Sequence, residues 1–433
     1  MPVEMKEGTD TIQEQTYQQT TVSVVMPSFN QATFIERSIH SVLTQSDALL
    51  ELIVMDGGSN DGTQAILSRL AQESDGRLRW QSEADRGPAH AVNKAMAIAQ
   101  GDVIGWLNAD DIYMPGALER AGQTLDAHPE WVMVYGHGQH INECDQVIGD
   151  YPTRLPDNTS LQAFADGCFI CQPTVFLRKE ALNRFGGLTE SLETAFDFEW
   201  WLRIFSQHHE AIGFVDALQA GSRLHSACIT LNQRETVIRE GMQVLAQYLG
   251  ASPLHWFKTY TNEMLADYPH GRQIKSIKAY LKKFSRSISG YLSNDDKQKL
   301  RDYQETDARI NLAIPDAYLE IYSDGWLPVR STLRVRSRKR RWQWVELRGR
   351  HVAKANTPLL LKVYSPDGMG RIHKIENKGP FSIRIDLAVQ AERPAYWAFV
   401  IEVDGCFIPK EHDTSSEDNR ELACQIDEIR LLT

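Results

Sequence analysis

Apolar and polar positions follow two different patterns along this chain. Between residues 21 and 230, apolar runs of strand length are separated by stretches in which apolar residues recur every three or four positions, as on one face of a helix. Strands that alternate with helices predict βαβ units and a mostly parallel sheet. The predicted strands span residues 22–26, 52–55, 78–80 and 102–107, and the predicted helices include residues 34–43, 63–71 and 89–99.

In the segment from 231 to 310, apolar residues follow only the helical spacing, and runs of strand length no longer alternate with it. Its clearest helix spans residues 272–291, where apolar residues form one stripe and basic residues occupy much of the remaining face. Two interpretations of this helix stay open. Its apolar stripe packs on the preceding α/β domain, which the sequence favours, or the helix makes a peripheral contact with an anionic membrane surface.

From 311 to 433 the pattern changes to short β-rich runs separated by Gly, Pro, Asn and Asp. This spacing predicts a β-sandwich-like domain of about 120 residues. A basic run at 334–341 predicts an edge strand protected by charge, with binding of phosphate or lipid head groups as the alternative. The predicted strands are residues 318–322, 333–336, 344–347, 359–364, 381–385 and 397–403.

Composition and charge narrow the class of protein. A chain of 433 residues that is 42 % hydrophobic and 24 % charged is expected to be globular, with two or three domains. Its net charge of −11 argues against nucleic acid as a partner. No apolar run reaches the roughly 18–20 residues that span a bilayer. Residues 1–20 are polar and lack the apolar segment of a secretory signal, so we expect a disordered tail.

Cysteine usage points to a reducing compartment. Six cysteines in a chain of this length do not form a disulfide framework. Cys168 and Cys171 form a single C-x-x-C, and without a second pair nearby we expect two half-buried thiols rather than a zinc site. A cytoplasmic location is therefore expected.

Polar residues gather where the predicted strands end. Asn30, Asp56, Asp85 and Asp110 all lie at or just past such ends. In open α/β sheets, ligands bind outside the carboxyl ends of the strands. The sequence therefore places a ligand site at this edge of the sheet.

One of these ends carries two adjacent carboxylates. In "GWLNADD", residues 105–111, an apolar strand runs directly into Asn108, Asp110 and Asp111. Adjacent carboxylates repel each other, so such a pair suits Mg²⁺ or Mn²⁺, which also takes diphosphate oxygens from a substrate. The alternative is a helix N-cap, because a helical run follows at 114–124.

Several blocks, in order, make residues 21–230 resemble a family 2 glycosyltransferase with the GT-A fold. They are "VSVVMPSFNQATFIERSIHSVLTQ", "ELIVMDGGSNDGTQAIL", "SEADRGPAHAVNKAMAIAQGDVIGWLNADD", "CQPTVFLRKEALNRFGGLTESLETAFDFEWWLRI" and "RLH" at 223–225. The resemblance implies a Rossmann-like domain that binds a nucleotide sugar. A G-x-G-x-x-G turn, which a dinucleotide-dependent dehydrogenase needs after its first strand, is replaced here by "PSFN".

The resemblance implies a role for each matching residue on the nucleotide side. Pro27, Ser28 and Asn30 match the loop that lines the nucleotide pocket. Asp56 matches the acidic position that holds the base or ribose, although Gly57 stands where many relatives carry a second Asp, which leaves that contact open. The remaining nucleotide-side matches are Asp85, Asn108, at the first position of the family's D-x-D motif, and Asp111, which would support Asp110 or touch the donor sugar.

The metal and the catalytic base are implied in the same way. Asp110 matches the metal-binding Asp of the D-x-D motif, and His225 resembles a position that completes the coordination of Mn²⁺ or Mg²⁺. Asp197 resembles the catalytic base, although Phe196 stands where many relatives carry Glu. Glu199 is the alternative base, and on a helix it points about 200° away from Asp197.

Together these features predict an inverting, metal-dependent glycosyltransferase. It would transfer a sugar from a nucleotide sugar, with UDP expected from the family, to a glycan or lipid-linked glycan, as relatives in surface-polysaccharide assembly do. A non-catalytic carbohydrate-binding or scaffold protein on a decayed transferase fold is the alternative. The presence of Asp110, Asp111 and Asp197 together favours the enzyme. The β-rich part would be a glycan-binding or assembly module.

Overall fold

The computed structural model describes residues 20–45, 48–156, 159–268, 274, 276–336, 342–352, 358–387, 396–406, 408–412 and 415–433. The predicted tail at 1–20 lies outside these ranges except for Thr20. The chain divides into two compact units, Met1–Val244 and Leu245–Thr433. This division falls within the segment predicted to be a separate helical extension.

The first unit begins with four parallel strands, as the sequence predicts. The strands are β1 (Val22–Ser28), β2 (Leu49–Asp56), β3 (Leu78–Ser82) and β4 (Val103–Trp106), and they are connected by α1 (Ile35–Leu43), α2 (Thr63–Glu73) and α3 (Pro88–Ile98). β1 pairs in parallel with both β2 and β4, and β2 with β3. Because each helix returns the chain to the opposite edge, the carboxyl ends of all four strands lie at the same edge.

The second half of the sheet is mixed rather than mostly parallel. Its elements are β5 (Ile112–Tyr113), α4 (Ala117–Ala127), β6 (Met133–Ile141), β7 (Val147–Asp150), β8 (Phe176–Arg178), α5 (Lys179–Phe185), α6 (Phe196–His208) and β9 (Ile212–Arg223). The strand order is β3-β2-β1-β4-β8-β6-β9-β5, with β7 paired to β6. This arrangement is the Rossmann-like GT-A fold that the sequence predicts. The core lies between the strands and the helices, and it contains Met26, Leu52, Val54, Val103 and Phe176.

The first strand extends two residues beyond its predicted end at residue 26, past a proline. β1 continues through Pro27 to Ser28. The Val25 carbonyl accepts a hydrogen bond from the Leu107 amide on the β4 side. The backbone nitrogen of Pro27, two residues later, also faces the β4 side, but β4 has already ended at Trp106. The missing proline N–H therefore removes no hydrogen bond from the sheet.

Helices follow from residue 229 onward. They are α7 (Ile229–Asn232), α8 (Arg234–Leu249), α9 (His255–Asp267), α10 (Ile277–Ile288), α11 (Asn294–Thr306) and α12 (Ala308–Leu312). The predicted basic helix is α10, which is shorter than residues 272–291, and Arg272 and Lys275 lie outside the described residues. Its apolar stripe is buried, and the Phe284 ring lies 6.0 Å from Phe257 and 4.8 Å from Tyr260 of α9.

The C-terminal part forms two antiparallel sheets around one core, as a sandwich does. The strands are β10 (Ala317–Leu319), β11 (Trp326–Pro328), β12 (Arg330–Arg336), β13 (Trp344–His351), β14 (Leu359–Tyr364), β15 (Gly370–Ile375), β16 (Gly379–Asp386), β17 (Tyr396–Asp404) and β18 (Leu422–Leu432), with the short α13 (Pro409–His412). The sheet orders are β10-β12-β17-β14-β15 and β11-β18-β13-β16. The enclosed core includes Leu333, Leu361, Phe399 and Ile426.

The predicted charged edge strand is an interior strand. β12 lies between β10 and β17. Its basic side chains are paired, because Arg334 contacts Glu320 and Arg336 lies 3.9 Å from Asp316. Residues 337–341 of the basic run lie outside the described residues.

Two further features concern the class of protein. No helix in the described part of the chain is both long enough and apolar enough to cross a membrane. All six cysteines are free thiols; Cys168 of the C-x-x-C is half-buried, as predicted, whereas Cys171 is completely buried rather than half-buried.

Candidate active site

Three parallel strands present their carboxyl ends side by side. Ser28 at the end of β1 is in register with Asp56 at the end of β2, which is in register with Ser82 of β3. On the other side of β1, Val25 pairs with Trp106, the last residue of β4. The loops after β1, β2 and β4 therefore meet at one edge, and they carry the predicted nucleotide-side and metal residues.

Asp56 is buried and holds the turn after β2. One of its carboxylate oxygens accepts hydrogen bonds from the backbone N–H of Gly58 (3.2 Å), the backbone N–H of Ser59 (2.9 Å) and the Ser82 hydroxyl (2.6 Å). The other accepts from the Ser59 hydroxyl at 2.5 Å. Both oxygens are thus engaged by protein, so Asp56 shapes the pocket; a contact with the base or ribose stays a prediction.

Asn30 connects the first two loops. Its backbone adopts a φ of +52°, which asparagine tolerates better than most residues. Its N–H donates to the Ser59 hydroxyl at 2.7 Å, and its side-chain oxygen accepts from the Asn60 N–H at 3.0 Å. The neighbouring Ser28 hydroxyl is buried and has no hydrogen-bond partner among the described residues. A polar ligand at this edge would satisfy that group.

Gly57 leaves space between an exposed ring and a carboxylate. The Phe29 side chain is 60 % exposed, an unusual state for a large apolar residue. A Cβ at position 57 would lie 2.9 Å from an Asp85 oxygen and 3.3 Å from the Phe29 ring. Asp85 is itself held by the Gly87 N–H at 2.8 Å. Phe29, Gly57 and Asp85 therefore form one wall of the pocket, which a second Asp at 57 would crowd.

The two adjacent carboxylates of "NADD" point in different directions. Asp110 is partly exposed, and its Oδ2 lies 2.9 Å from Nε2 of the buried His225. Asp111 is buried, and its Oδ1 accepts a hydrogen bond from the Arg223 N–H at 2.7 Å. Burial, and next the charge of Asp110, raise the pKa of Asp111 well above its usual value. Asp110 is therefore the carboxylate available to a ligand, and Asp111 belongs to the support beneath it.

Asn108 belongs to a closed ring of three hydrogen bonds. Its side-chain oxygen accepts from the Trp106 indole N–H at 3.0 Å, and its amide group donates to the Gln172 side-chain oxygen at 2.9 Å. Gln172 completes the ring by donating to the Trp106 carbonyl at 2.7 Å. These contacts hold Asn108 in the loop; a ribose contact stays a prediction.

Arg223 connects the loop 107–111 to the rest of the unit; this loop carries the candidate metal ligand Asp110 and is called the metal loop below. Its side chain is completely buried. The guanidinium donates to the Asp110 carbonyl and to the Asn142 carbonyl, both at 2.6 Å, and it forms an ion pair with Asp145. With its backbone N–H on Asp111, one arginine supports both aspartates of the loop.

The residues at this loop fit a divalent cation that is shared with a substrate. A carboxylate oxygen and an imidazole nitrogen, from Asp110 and His225, lie within contact of each other. In the described ranges no group of three or more His, Cys, Asp or Glu side chains is arranged to hold a metal ion. Two protein ligands suit Mg²⁺ or Mn²⁺ when substrate phosphates complete the coordination.

Asp197 lies in the first turn of α6 and is half-buried. Burial raises the pKa of its carboxyl to about 6, although the hydrogen bond from the Phe198 N–H, at 2.7 Å, acts in the opposite direction. The side chain is thus largely enclosed by protein while it keeps some contact with solvent. A carboxylate with a pKa near 6 is charged at neutral pH and can accept a proton.

The surroundings of Asp197 connect it to the metal loop. The pKa of the buried Cys171 thiol is raised by burial and, in decreasing order, by the charges of Asp111, Cys168 and Asp197. The ring of Phe196, next to Asp197, stacks on Trp106 at 5.9 Å. Trp106 in turn donates to Asn108 of "NADD".

Glu199 is engaged elsewhere. It is buried and forms a bidentate pair with Arg203, at 3.1 and 2.6 Å, and it accepts a hydrogen bond from the Thr189 hydroxyl at 2.9 Å. This internal ion pair leaves Asp197 as the better candidate of the two predicted bases.

Sequence reasoning missed Phe29, Gln172 and Arg223 as parts of the site. The signal for Phe29 was present, since a bulky aromatic residue stands in a polar loop at a strand end. No local signal marks Gln172 or Arg223, because their partners lie 64 and 112 residues away.

Comparison with known proteins decides the family. The sequence model of glycosyl transferase family 2 matches residues 23–186. The Escherichia coli UDP-Glc:alpha-D-GlcNAc-diphosphoundecaprenol beta-1,3-glucosyltransferase WfgD is 30 % identical over 222 residues, which cover 51 % of this chain and 83 % of that protein. The chain belongs to glycosyltransferase family 2.

Other family 2 relatives match a smaller part. An uncharacterized glycosyltransferase of Nostoc is 27 % identical over 169 residues, which cover 38 % of this chain and 52 % of that protein. The chain thus spans about half the length of that relative. Among solved structures, S. aureus TarS 1-349 is 15 % identical, covers 73 % of this chain and 96 % of its own, and superposes with a TM-score of 0.46.

Proposed function

We propose that this family 2 member is an inverting, metal-dependent glycosyltransferase that transfers a sugar from a nucleotide sugar to a hydroxyl group of a glycan or lipid-linked glycan. The observation that carries the proposal is the connection between Asp197 and the Asp110–His225 pair. Phe196, next to Asp197, stacks on Trp106, which donates to Asn108 of the same loop as Asp110, and Cys171 experiences the charges of Asp111 and Asp197. These contacts support the proposal that the candidate base and the candidate diphosphate site belong to one active site.

The chemistry follows from the positions of these groups. Asp197 accepts the proton of the acceptor hydroxyl while that oxygen attacks the anomeric carbon of the donor sugar. The bond from the anomeric carbon to the diphosphate oxygen breaks on the opposite face, and the nucleoside diphosphate leaves. One displacement inverts the anomeric configuration. The raised pKa of Asp197 makes its carboxylate a stronger base than an exposed aspartate, while it remains ionised at neutral pH.

Asp110 and His225 would hold the metal ion. Bound Mn²⁺ or Mg²⁺ would neutralise the charge that develops on the departing diphosphate. Asp111 and Arg223 keep Asp110 directed toward the cleft. Solved structures with Mn²⁺ include a mannosyltransferase from Pyrobaculum calidifontis in complex with GDP-Man, and the use of the metal by this chain is part of the proposal.

The donor would lie across the loops after β1, β2 and β3. We assign the exposed Phe29 ring to the base, since an exposed aromatic face beside a carboxylate suits a flat heterocycle. The free Ser28 hydroxyl and Asp85 supply hydrogen bonds to the base or ribose. UDP is favoured as the nucleotide, and a lipid diphosphate glycan as the acceptor, because the name of the E. coli relative specifies both. Synthesis of surface polysaccharide would use such a reaction at the inner face of the membrane.

The decisive experiment is calorimetric titration of UDP, GDP and dTDP into the protein, with and without Mn²⁺. Wild type is compared with Asp110→Ala, and with Glu119→Ala as a control on the exposed face of α4. We expect one nucleotide to bind in a metal-dependent manner, and we expect Asp110→Ala alone to abolish the effect of the metal.

Other outcomes would change the proposal. Nucleotide binding of equal strength with and without Mn²⁺ would remove the metal from the mechanism. A failure of all three nucleotides to bind would favour a non-catalytic carbohydrate-binding or scaffold protein.

A further inference from the structure

A buried carboxylate from α8 closes the loop that precedes α6. Glu240 accepts hydrogen bonds from the backbone N–H groups of Glu193 (2.9 Å), Thr194 (2.8 Å) and Ala195 (3.1 Å). It also accepts from the Thr194 hydroxyl at 2.8 Å. Both oxygens are used, and all four bonds are made to three consecutive residues.

These contacts satisfy a need of α6. The first N–H groups of a helix have no partner within the helix and are usually capped by a side chain. The N-cap of α6 is Ala195, which has no side-chain acceptor. Glu240, 45 residues later in the sequence, accepts the N–H of this N-cap residue, and its other backbone bonds hold the two residues before it. Its negative charge also complements the positive end of the helix dipole.

The loop that Glu240 holds leads directly to the candidate base. Asp197 follows Ala195 by two residues, in the first turn of α6, and its carboxylate accepts a local hydrogen bond from the Phe198 N–H. The direction of the Asp197 carboxylate therefore depends on where the helix starts. The start of the helix is fixed by Glu240.

We propose that Glu240 is a positioning residue for the catalytic base, which makes α8 a part of the catalytic apparatus. This inference rests on the proposed role of Asp197. Glu240 lies outside residues 23–186, which the family model matches, and outside residues 21–230, which the sequence assigns to the catalytic domain. The helix α8, which the sequence assigns only to a helical extension, would thus influence the turnover of the enzyme.

The test compares Glu240→Gln with wild type in nucleotide release from UDP-glucose, or from the sugar of the nucleotide that titration identifies. Water replaces the acceptor: its oxygen bonds to the anomeric carbon, Asp197 takes its proton, and the nucleoside diphosphate leaves. Glutamine keeps the size of the side chain but places an N–H donor against backbone N–H groups. We expect kcat to fall at least about tenfold with unchanged nucleotide affinity, because small displacements of a catalytic group reduce rate strongly. Glu180→Gln, at an exposed position of α5, is the matched control.

Two further readouts separate positioning from a general structural role. Added to Asp197→Asn, the Glu240→Gln change should cause no further loss of rate, since Glu240 acts through Asp197. The acid limb of the pH–rate profile should move to lower pH, because a loosened loop admits water to the carboxylate. The titratable groups that feel the charge of Asp197 are Tyr151, Cys168 and Cys171, and they are unchanged in this variant.

A folded Glu240→Gln protein with the turnover and pH profile of wild type would overturn the inference, and so would rate losses that add fully to those of Asp197→Asn. If Glu240→Gln does not fold, Glu240→Asp takes its place: it keeps the charge but shortens the side chain by one methylene, so the loop before α6 must shift to keep its bonds and kcat should fall. Wild-type turnover in that variant would likewise overturn the inference. If Asp197→Asn itself leaves the rate unchanged, the proposed base is wrong and the failure lies there rather than with Glu240.

Discussion

Replacing Asp197 by asparagine separates the catalytic from the structural effect of its carboxylate. Burial raises the pKa of this group from 3.8 to about 6. A pKa shift of about two units corresponds to about 3 kcal/mol. When Asp197 is ionised, the folded state is destabilised by up to this amount relative to the unfolded state. Because the side chain keeps some contact with solvent, we expect Asp197→Asn to raise the free energy of unfolding by about 1–3 kcal/mol at pH 8.

The raised pKa of Asp197 determines how its contribution to folding stability changes with pH. The folded state binds the proton more tightly than the unfolded state, so this contribution to stability is fully present below pH 3.8 and is lost as the pH rises through about 6. The Asp197→Asn variant lacks this pH-dependent contribution to stability. The difference between the two proteins should therefore be small near pH 4 and largest above pH 7.

Urea denaturation of both proteins at pH 4.5, 6 and 8 measures this difference. Nucleotide release from the donor, followed in parallel, should fall about 10²–10⁴-fold, the usual contribution of a general base. Wild-type turnover should decline below about pH 6 as Asp197 becomes protonated. A variant that is equally stable or less stable at pH 8, with activity retained, would refute the reasoning on both counts.

Three further predictions concern the pocket, its support and the second unit. Gly57→Ala should weaken nucleotide binding about fivefold in calorimetry without a loss of stability, because its Cβ would press on Asp85 and Phe29; an unchanged affinity would place the donor elsewhere. Arg223→Met should lower the free energy of unfolding by about 2–4 kcal/mol in urea denaturation, since the carbonyls of Asp110 and Asn142 lose their guanidinium donor while Asp145 keeps its ion pair with Arg37; a loss under about 1 kcal/mol would contradict the supporting role. Anionic liposomes should sediment the protein weakly at low salt and not at high salt, because the apolar stripe of α10 is buried while Lys282, Lys283 and Arg286 are exposed; sedimentation that resists salt would indicate an inserted apolar face.

Local patterns in the sequence predicted the elements that build the site. The alternation of apolar runs and helical spacing located β1 to β4 and the helices between them. The strand ends then indicated where Asn30, Asp56 and Asp110 would meet. Other strands were missed. β15 has a largely exposed surface and β11 is only three residues long, but the 11-residue β18 was missed as well.

Contacts between distant residues were beyond the reach of local patterns. The local pattern does not distinguish Asp110 from Asp111, and the family resemblance leaves Asp111 either as a support for Asp110 or as a contact to the donor sugar. The approach of Arg223, 112 residues away, favours the supporting role of Asp111. The same holds for Glu240, whose three partners lie 45 to 47 residues earlier. The helical spacing of apolar residues predicts α8, but it does not predict that Glu240 of this helix holds the loop before α6.

Because β9 is the last strand of the first unit, part of the candidate site is completed only late during synthesis of the chain. β5, which directly follows the metal loop, has β9 as its partner in the sheet, with Ile112 opposite Gly221. Arg223 and His225 come at the end of β9 or just after it. A nascent chain that has emerged from the ribosome only as far as β8 already possesses the nucleotide-side loops, but it lacks the partner of β5 and the imidazole beside Asp110. Competence for the proposed chemistry is thus acquired in one late event, after more than half of the first unit has been translated.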